Sequence, residues 1–470
     1  MKIATASAAL LCISFCIICI GQNPGLKCRL HSRGLRFAKD QLLKWLRPKL
    51  ENLKIPNFSG SNYEIKNVNI DSFSLGSNSV ETRPSNRFKA SIDGASVKVS
   101  GSWKAWKKIL FVTIRASGTA SVSASDVDLS QEIRLGKTSS GKPKATIGDC
   151  KVSVRGFDVK LKGKNAFLSW VYNIVVNFFE DRIRKEIEKA ICKQTVKVLK
   201  DKSGDITNDF NVNFPFILNS KINLGLTSSP SATTSYIYMA AKGRCFGSKN
   251  PQQSFPFSPP LTPSLTSTTQ MVRISIGEYV MNTLLYTMWQ DNRFTKSVGL
   301  RQVSQGLDKV FASPSIGRAS SIFQTYRNRP KQVSIHAKDS PKANFYTNRV
   351  VITAVFLLDV NIILPTRTLR GVTITTNVRI EGKPYVSGGK LKASITDLSV
   401  VATDSDIEAL STSQINSLIQ GFLPTQITPV LKGIVEAGFL IPEYFGYKAT
   451  GLSLVVKSNA IEIGSDFKEA

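Results

Sequence analysis

Histidine is almost missing from this chain, which has only His31 and His336 in 470 residues. That scarcity removes the commonest general base and the commonest metal ligand. Cysteine is sparse as well. Of seven, Cys12, Cys16 and Cys19 lie in the first segment, leaving Cys28, Cys150, Cys192 and Cys245 with no C-x-x-C spacing; a zinc site is not expected. Acidic residues are outnumbered, 33 Asp+Glu against 62 Lys+Arg, for a formal charge of +29. No G-x-S-x-G elbow and no H-E-x-x-H pair occurs. The run Gly136-Lys137-Thr138-Ser139-Ser140-Gly141-Lys142 approaches a phosphate-binding loop, but Pro143 stands where a magnesium-binding Ser or Thr and a helix must follow. It reads as a surface turn. The carboxylate pairs Glu180-Asp181 and Asp404/Asp406 sit in charged or turn settings and read as solvated. These absences point away from an enzyme and toward a binding protein with no catalytic cofactor.

Long apolar runs are also lacking after the N-terminus. Phe167 to Phe179 comes nearest, but it is too short to span a bilayer and continues into charges. Residues 1–22 carry one Lys, an apolar core and small Gly21, the pattern of a secretory signal peptide. An extracellular destination makes disulfides available, and four cysteines allow three pairings. Asn57-Phe58-Ser59 is the one N-x-[ST] sequon, so Asn57 is the candidate glycosylation site.

What the chain does have is unevenly placed positive charge. From Asn23 to Cys245 there are 38 Lys+Arg and 18 Asp+Glu, net +20; from Phe246 to Ala470 there are 23 and 15, net +8. Charge of this size draws polyanions or anionic membranes. Nucleic acid is the alternative polyanion, disfavoured by the signal peptide and by the lack of any aromatic-basic nucleic-acid module.

Periodicity predicts two similar halves. Gly34 to Leu53 repeats Leu at threes and fours, a helix that Pro48 should kink. Strand-like alternation fills Ile55 to Ile147 and Val152 to Lys162, and a long helix is expected from Phe167 to about Lys200, apolar nearly all round at its start. Five prolines between 247 and 266 mark a linker. It divides an N-terminal domain, 23–246, from a C-terminal one, 267–470. In the latter a short helix (Glu278 to Trp289), strands through Val401, helical pieces in Glu408 to Leu440 and a closing strand (Leu452 to Ile463) follow. The most distinctive stretch is Ser96 to Arg115. Its arms, Val97–Val99 and Leu110–Arg115, read as a hairpin whose tip, Gly101 to Lys108, carries Trp103, Trp106, Lys104, Lys107 and Lys108. Cations and indoles together suit an anionic lipid–water boundary.

Several runs, in order, resemble one family: Asn23-Pro24-Gly25, Lys54-Ile55-Pro56, Val99 to Ala105, Ser140-Gly141-Lys142-Pro143, the Cys150…Cys192 spacing, Pro256 to Pro260 and Met271-Val272-Arg273. The chain is similar to the family of the bactericidal/permeability-increasing protein and the lipopolysaccharide-binding protein. The resemblance implies an α+β fold, a boomerang of two pseudo-symmetric domains. Each would be a twisted antiparallel β-barrel packed with a long helix, and a central antiparallel sheet would join the two. It implies an apolar pocket in each domain with two bound phospholipids in all, and a disulfide between Cys150 and Cys192. Cys28 and Cys245, outside the family pattern, are expected to form a second bond. The resemblance further implies that Lys54, Lys66, Lys98, Lys104, Lys107 and Lys108 bind phosphorylated lipid A, with Trp103 and Trp106 at the lipid boundary. Glu64 and Val112 stand where family Lys residues would be expected, and Trp106 replaces a polar residue as an apolar wedge. The expected function is a secreted, monomeric innate-immune protein that binds lipopolysaccharide and permeabilises the anionic outer membrane of Gram-negative bacteria. Phospholipid or neutral-lipid transfer is the alternative.

Overall fold

A computed structural model describes residues 23–469, apart from 53–54, 85, 165, 167, 218, 248–249, 267, 300–320, 327, 407–410, 414, 418, 421–438 and 441–446. The signal segment therefore lies outside the described residues, as do Lys54 and most of the helical pieces expected in Glu408 to Leu440. The chain forms a two-domain α+β fold of curled antiparallel sheets with few helices. By backbone proximity one unit holds Leu30–Asn211 and Ser229–Met239; the other holds the segment up to Arg29, Val212–Ser228 and the chain from Ala240 onward.

The first unit contains α1 (Ser32–Glu51), β1 (Tyr63–Ser74), β2 (Ser77–Arg83), β3 (Arg87–Ile109), β4 (Val112–Lys137), β5 (Pro143–Lys164), α2 (Ser169–Phe178), a π turn (Phe179–Ile183) and α3 (Arg184–Asp209). The sheet order is Phe58–Ser59, β1, β3, β4, β5, with β2 on β3. Alternation is what makes β3 a strand. Val97, Val99, Trp103 and Ala105 turn inward, while Lys98 and Lys104 are exposed. The helices cover that inner face: Leu46 and Leu50 of α1, Val171, Val175 and Phe178 of α2, and Ile187, Ile191 and Val198 of α3 share one core with the sheet. Each such aliphatic side chain contributes about 1.5–3 kcal/mol by leaving water. The apolar stripe steps five residues from Phe178 to Ile183, which an α-helix would rotate off the face; the π turn absorbs the extra residue. Pro48 does not break α1, which continues to Glu51. It lies in the last turn, where little helix remains to be disturbed, and the Asn52 side chain donates to its carbonyl at 2.7 Å. Cys150 on β5 is bonded to Cys192 on α3. The closed loop of 42 residues corresponds to about 3–4 kcal/mol in the chain-entropy account.

The second unit contains β6 (Ser220–Asn223), β7 (Arg244–Gly247), β8 (Val272–Gly277), α4 (Glu278–Gln290), β9 (Thr295–Gly299), β10 (Lys331–Ala337), β11 (Lys342–Tyr346), β12 (Arg349–Ile363), β13 (Thr368–Ser387), β14 (Lys390–Ser405), β15 (Tyr447–Lys457) and β16 (Ala460–Glu469). Its large sheet runs β9, β10, β12, β13, β14 and Phe439–Leu440, with β11 on β12. The closing strand expected at Leu452 to Ile463 is instead the middle of a hairpin, β15 and β16, because Ser458 and Asn459 turn the chain, Asn459 at φ 64°. The Pro-rich segment is extended and held down: Lys27 Nζ donates to the Thr262 carbonyl at 2.8 Å, Arg29 to that of Leu265 at 2.8 Å. Glu462, 0 % exposed, accepts from the Thr266 hydroxyl at 2.6 Å and from Lys457 Nζ at 2.7 Å, with Arg273 at 3.3 Å. Burial alone would raise its pKa, but those hydrogen bonds outweigh it and hold the carboxyl below the ordinary range.

Candidate functional site

The hairpin of β3 and β4 is longer than the sequence pattern implied. Both strands continue in register to Ile109 opposite Val112, so the turn is Leu110-Phe111 and not Gly101 to Lys108. Two-residue hairpin turns favour Asn-Gly or Asp-Gly because they require left-handed backbone. Here Leu110 takes φ 53°, at a cost of about 1 kcal/mol for a residue with a Cβ. Leu110 is 84 % exposed and Phe111 96 %, and Ile109 and Val112 are exposed beside them. Four consecutive apolar side chains thus protrude into solvent on a strained turn. A local sequence choice that opposes both solubility and turn preference marks a functional site.

Cations collar this tip. Lys107 and Lys108 directly precede it and are exposed. Register places further charges on one outward face: Glu64, Lys104, Ser117 and Lys164 form one cross-strand row, and Lys66, Ser102, Thr119 and Lys162 the next. Arg115 lies opposite Trp106. Lys160, Lys162 and Lys164 were legible as alternate residues in Lys160-Leu161-Lys162-Gly163-Lys164, but only the pairing of β5 with β4 brings Lys164 into the row of Lys104 and Lys162 into the next. Glu64 and Asp158, the latter 3.8 Å from Lys160 Nζ, are counter-charges on this face; Glu64 is the one beside Lys104. Its carboxylate meets Lys66 Nζ at 2.6 Å, and that hydrogen bond, aided by Lys104, holds its pKa below the ordinary value.

The remaining expected residues separate. Trp103 is 1 % exposed, in the core, with Nε1 donating to the Thr119 carbonyl at 3.1 Å; alternation turns it inward, away from any lipid boundary. Trp106 is half-buried and its Nε1 donates to the Ser61 carbonyl at 3.0 Å. It braces the start of β1 and is no free wedge; the apolar side chains that protrude are those of Leu110 and Phe111. Lys98 is exposed, but it is six residues down β3 from Lys104, about 20 Å at strand spacing. Asn57 is exposed, and its side-chain oxygen accepts from the Asn67 N–H at 3.1 Å. Cys28 and Cys245 are free thiols, which corrects the second expected bond. Cys245 is packed among Ile222, Val280 and Leu284 beneath α4, and burial pushes its thiol up to about 12.

The second unit holds a different feature, a cavity of about 420 Å³. Its apolar walls include Met281, Leu285 and Met288 of α4 and Val350, Ile352 and Phe356 of β12. On β12 the same alternate stripe continues as Leu358, Val360 and Ile362, which are fully packed. Half of one apolar stripe meets core and the other half meets open space. In the first unit an apolar cleft between α1, α3 and β2–β4, lined by Leu42, Leu46 and Ile92, measures about 30 Å³, while a more polar and open one beside the Cys150–Cys192 bond, with Lys89, Asp128 and Glu188 on its walls, measures about 750 Å³.

The sequence matches the N-terminal domain of the LBP / BPI / CETP family over residues 34–201 and its C-terminal domain over 219–469. The chain belongs to the LBP / BPI / CETP family. Within that family it is 21 % identical to the bactericidal permeability-increasing protein of Sebastes schlegelii, over 94 % of this chain and 95 % of the relative. It is likewise 21 % identical to the human lipopolysaccharide-binding protein, over 95 % and 94 %. The cholesteryl ester transfer protein of Cricetulus griseus is 21 % identical over 73 % of this chain and 70 % of its own length. The crystal structure of a lipopolysaccharide-binding protein superposes with a TM-score of 0.60 at 19 % identity, covering 95 % of this chain and 99 % of the other. The LBP / BPI / CETP fold is thereby shared. These relatives are named for bactericidal permeability increase, for lipopolysaccharide binding and for cholesteryl ester transfer. Among the described residues no helix is long and apolar enough to cross a membrane, and no cluster of three or more His, Cys, Asp or Glu could hold a metal.

Proposed function

We propose that this is a secreted, monomeric innate-defence protein that captures lipopolysaccharide of Gram-negative outer membranes through the β3–β4 hairpin and permeabilises the membrane it meets. The observation that carries this is the exposed run Ile109 to Val112 collared by Lys104, Lys107 and Lys108. Lipid A presents phosphates above acyl chains. Ammonium groups compete for the phosphates with the divalent cations that bridge them, and the apolar turn enters the acyl layer behind. Lys66, Lys162 and Lys164 extend the cationic face along the sheet. No covalent step is required. Membership of a family whose relatives include named lipopolysaccharide-binding and bactericidal proteins supports the ligand class.

The test is equilibrium binding of the full chain to lipopolysaccharide across a salt series. Each Lys at an anionic surface contributes about 1 kcal/mol, so Lys104→Ala, Lys107→Ala and Lys108→Ala together should weaken binding about 100-fold at low salt and flatten its salt dependence. Unchanged affinity in that variant would remove the hairpin from the function.

A second activity, carriage of phospholipid, is favoured by the 420 Å³ apolar cavity, a size suited to small-molecule and lipid ligands, and by the transfer protein among the relatives. It is compatible with capture, since cavity and hairpin belong to different units.

A further inference from the structure

We infer that Asn57 carries an N-linked glycan and that this glycan covers one flank of the cationic face, confining capture of anionic lipid to the tip and to the opposite edge of the sheet. This rests on the proposal that the chain is secreted and captures lipopolysaccharide through that face. Asn57-Phe58-Ser59 meets the acceptor rule, with Phe and not Pro in the middle. The fold decides where the sugar would stand.

Phe58–Ser59 is the outermost strand of its sheet, paired with β1. Phe58 packs against the core, so alternation turns Asn57 and Ser59 outward, and both are exposed. The Asn57 side-chain oxygen accepts from the Asn67 N–H at 3.1 Å. Asn67 Nδ2 in turn donates to Ser102 Oγ at 3.4 Å, and Ser102 Oγ donates to the Lys66 carbonyl at 3.0 Å. These bonds tie Asn57 to the row of Lys66, Ser102, Thr119 and Lys162. Ser59 lies opposite Glu64, and Glu64 opposite Lys104. Lys104 is therefore two strands from Ser59, about 10 Å at sheet spacing. Asn57 Nδ2, the atom that takes the sugar, has no hydrogen-bond partner among the described residues.

An N-glycan is bulky and hydrophilic. Rooted at the sheet edge on its outward face, it takes the space above Lys66 and Lys104 that a planar lipid surface needs to reach them. Leu110 is six residues beyond Lys104 on the hairpin, about 20 Å of strand, so the apolar turn stays clear. Lys162 and Lys164 stand on β5, the other edge of the sheet, and stay clear as well.

The experiment uses the full chain secreted from mammalian cells. Mass spectrometry of the peptide that holds Asn57 should find it occupied. Ser59→Ala removes the acceptor signal while keeping Asn57 and its hydrogen bond. It should bind lipopolysaccharide about fivefold more tightly than the glycosylated chain at low salt, the contribution of about one surface Lys regained. Ser59→Thr keeps the signal and should show no gain. Adding Lys66→Ala and Lys104→Ala to both forms should abolish the difference between them. If Ser59→Ala is not secreted, trimming a high-mannose form of the native glycan to its first sugar with an endoglycosidase should give the same gain without changing the charge at Asn57. An unoccupied Asn57, or equal affinity with and without the glycan, overturns the inference and leaves capture standing. So does a gain that persists without Lys66 and Lys104. Failure of every form to bind lipopolysaccharide overturns capture itself, and the inference with it.

Discussion

The two units leave apolar surface uncovered in opposite ways. In the first, Trp103 and Phe178 lie in a continuous core shared by the helices and the sheet, and the most exposed apolar residues, Leu110 and Phe111, stand on a convex turn. In the second, α4 and β12 stand apart around a concave space. A convex apolar tip can reach a planar surface that remains where it is. A concave one withdraws a single chain from such a surface. The contrast is one of shape more than composition: alternating strands supply the apolar residues in both, and packing decides which side chains find partners.

The comparison can be broken at several points. The largest effect is expected at the filler. Trp103→Ala should destabilise the first unit by about 3–5 kcal/mol, read by denaturant unfolding. Phe356→Ala, whose side chain already borders open space, should cost about 1 kcal/mol. Equal costs would mean that the two interiors are packed alike. Next comes the buried acid. Glu462→Gln leaves Arg273 and Lys457 with their charges uncompensated and should cost about 3 kcal/mol. Because the folded pKa of Glu462 is depressed, its contribution is fully present above the unfolded carboxyl value. It is lost as pH falls through the folded one, so the variant should show a weaker acid dependence of stability.

At the hairpin, Leu110→Ser with Phe111→Ser should leave stability unchanged or slightly raised, since neither side chain has a core partner. The same pair should lower insertion into lipopolysaccharide-containing monolayers by about 2–3 kcal/mol. A loss of fold stability in this variant would make the turn structural. The smallest effect is that of Glu64→Gln. It releases Lys66 and should strengthen binding to anionic vesicles by about threefold at neutral pH. In the unaltered chain the same gain should appear only as pH falls through the depressed Glu64 value, and the variant should lack that rise.

Much of this was written in the sequence. The alternation of Val97, Val99, Trp103 and Ala105 against Lys98 and Lys104 established a half-buried strand; the apolar start of the helix near Trp170 suggested burial nearly all round, but only the face of Val171, Val175 and Phe178 is buried and Tyr172 is 53 % exposed. The excess of Lys and Arg before residue 246 marked the more basic half. The family was legible through short runs in order. The turn was not. Leu110-Phe111 carries none of the residues that ordinarily announce a hairpin, so the tip was sought among the tryptophans. Trp103 and Trp106 looked equivalent because both flank Lys, yet they differ by an odd number of positions and therefore face opposite sides of β3.

The sequence by itself determined the strands, the helices, the charge and the family, because these depend on periodicity and composition within one segment. Tertiary structure alone decided three things. It set which Lys of β5 joins Lys104, through a register fixed by pairing residues nearly fifty apart, about 50 positions along the chain. It left Cys28 and Cys245 unbonded while joining Cys150 to Cys192. It also chose which half of the β12 stripe would be packed and which left open. Each depends on distances between segments remote in sequence, and no local pattern encodes those distances.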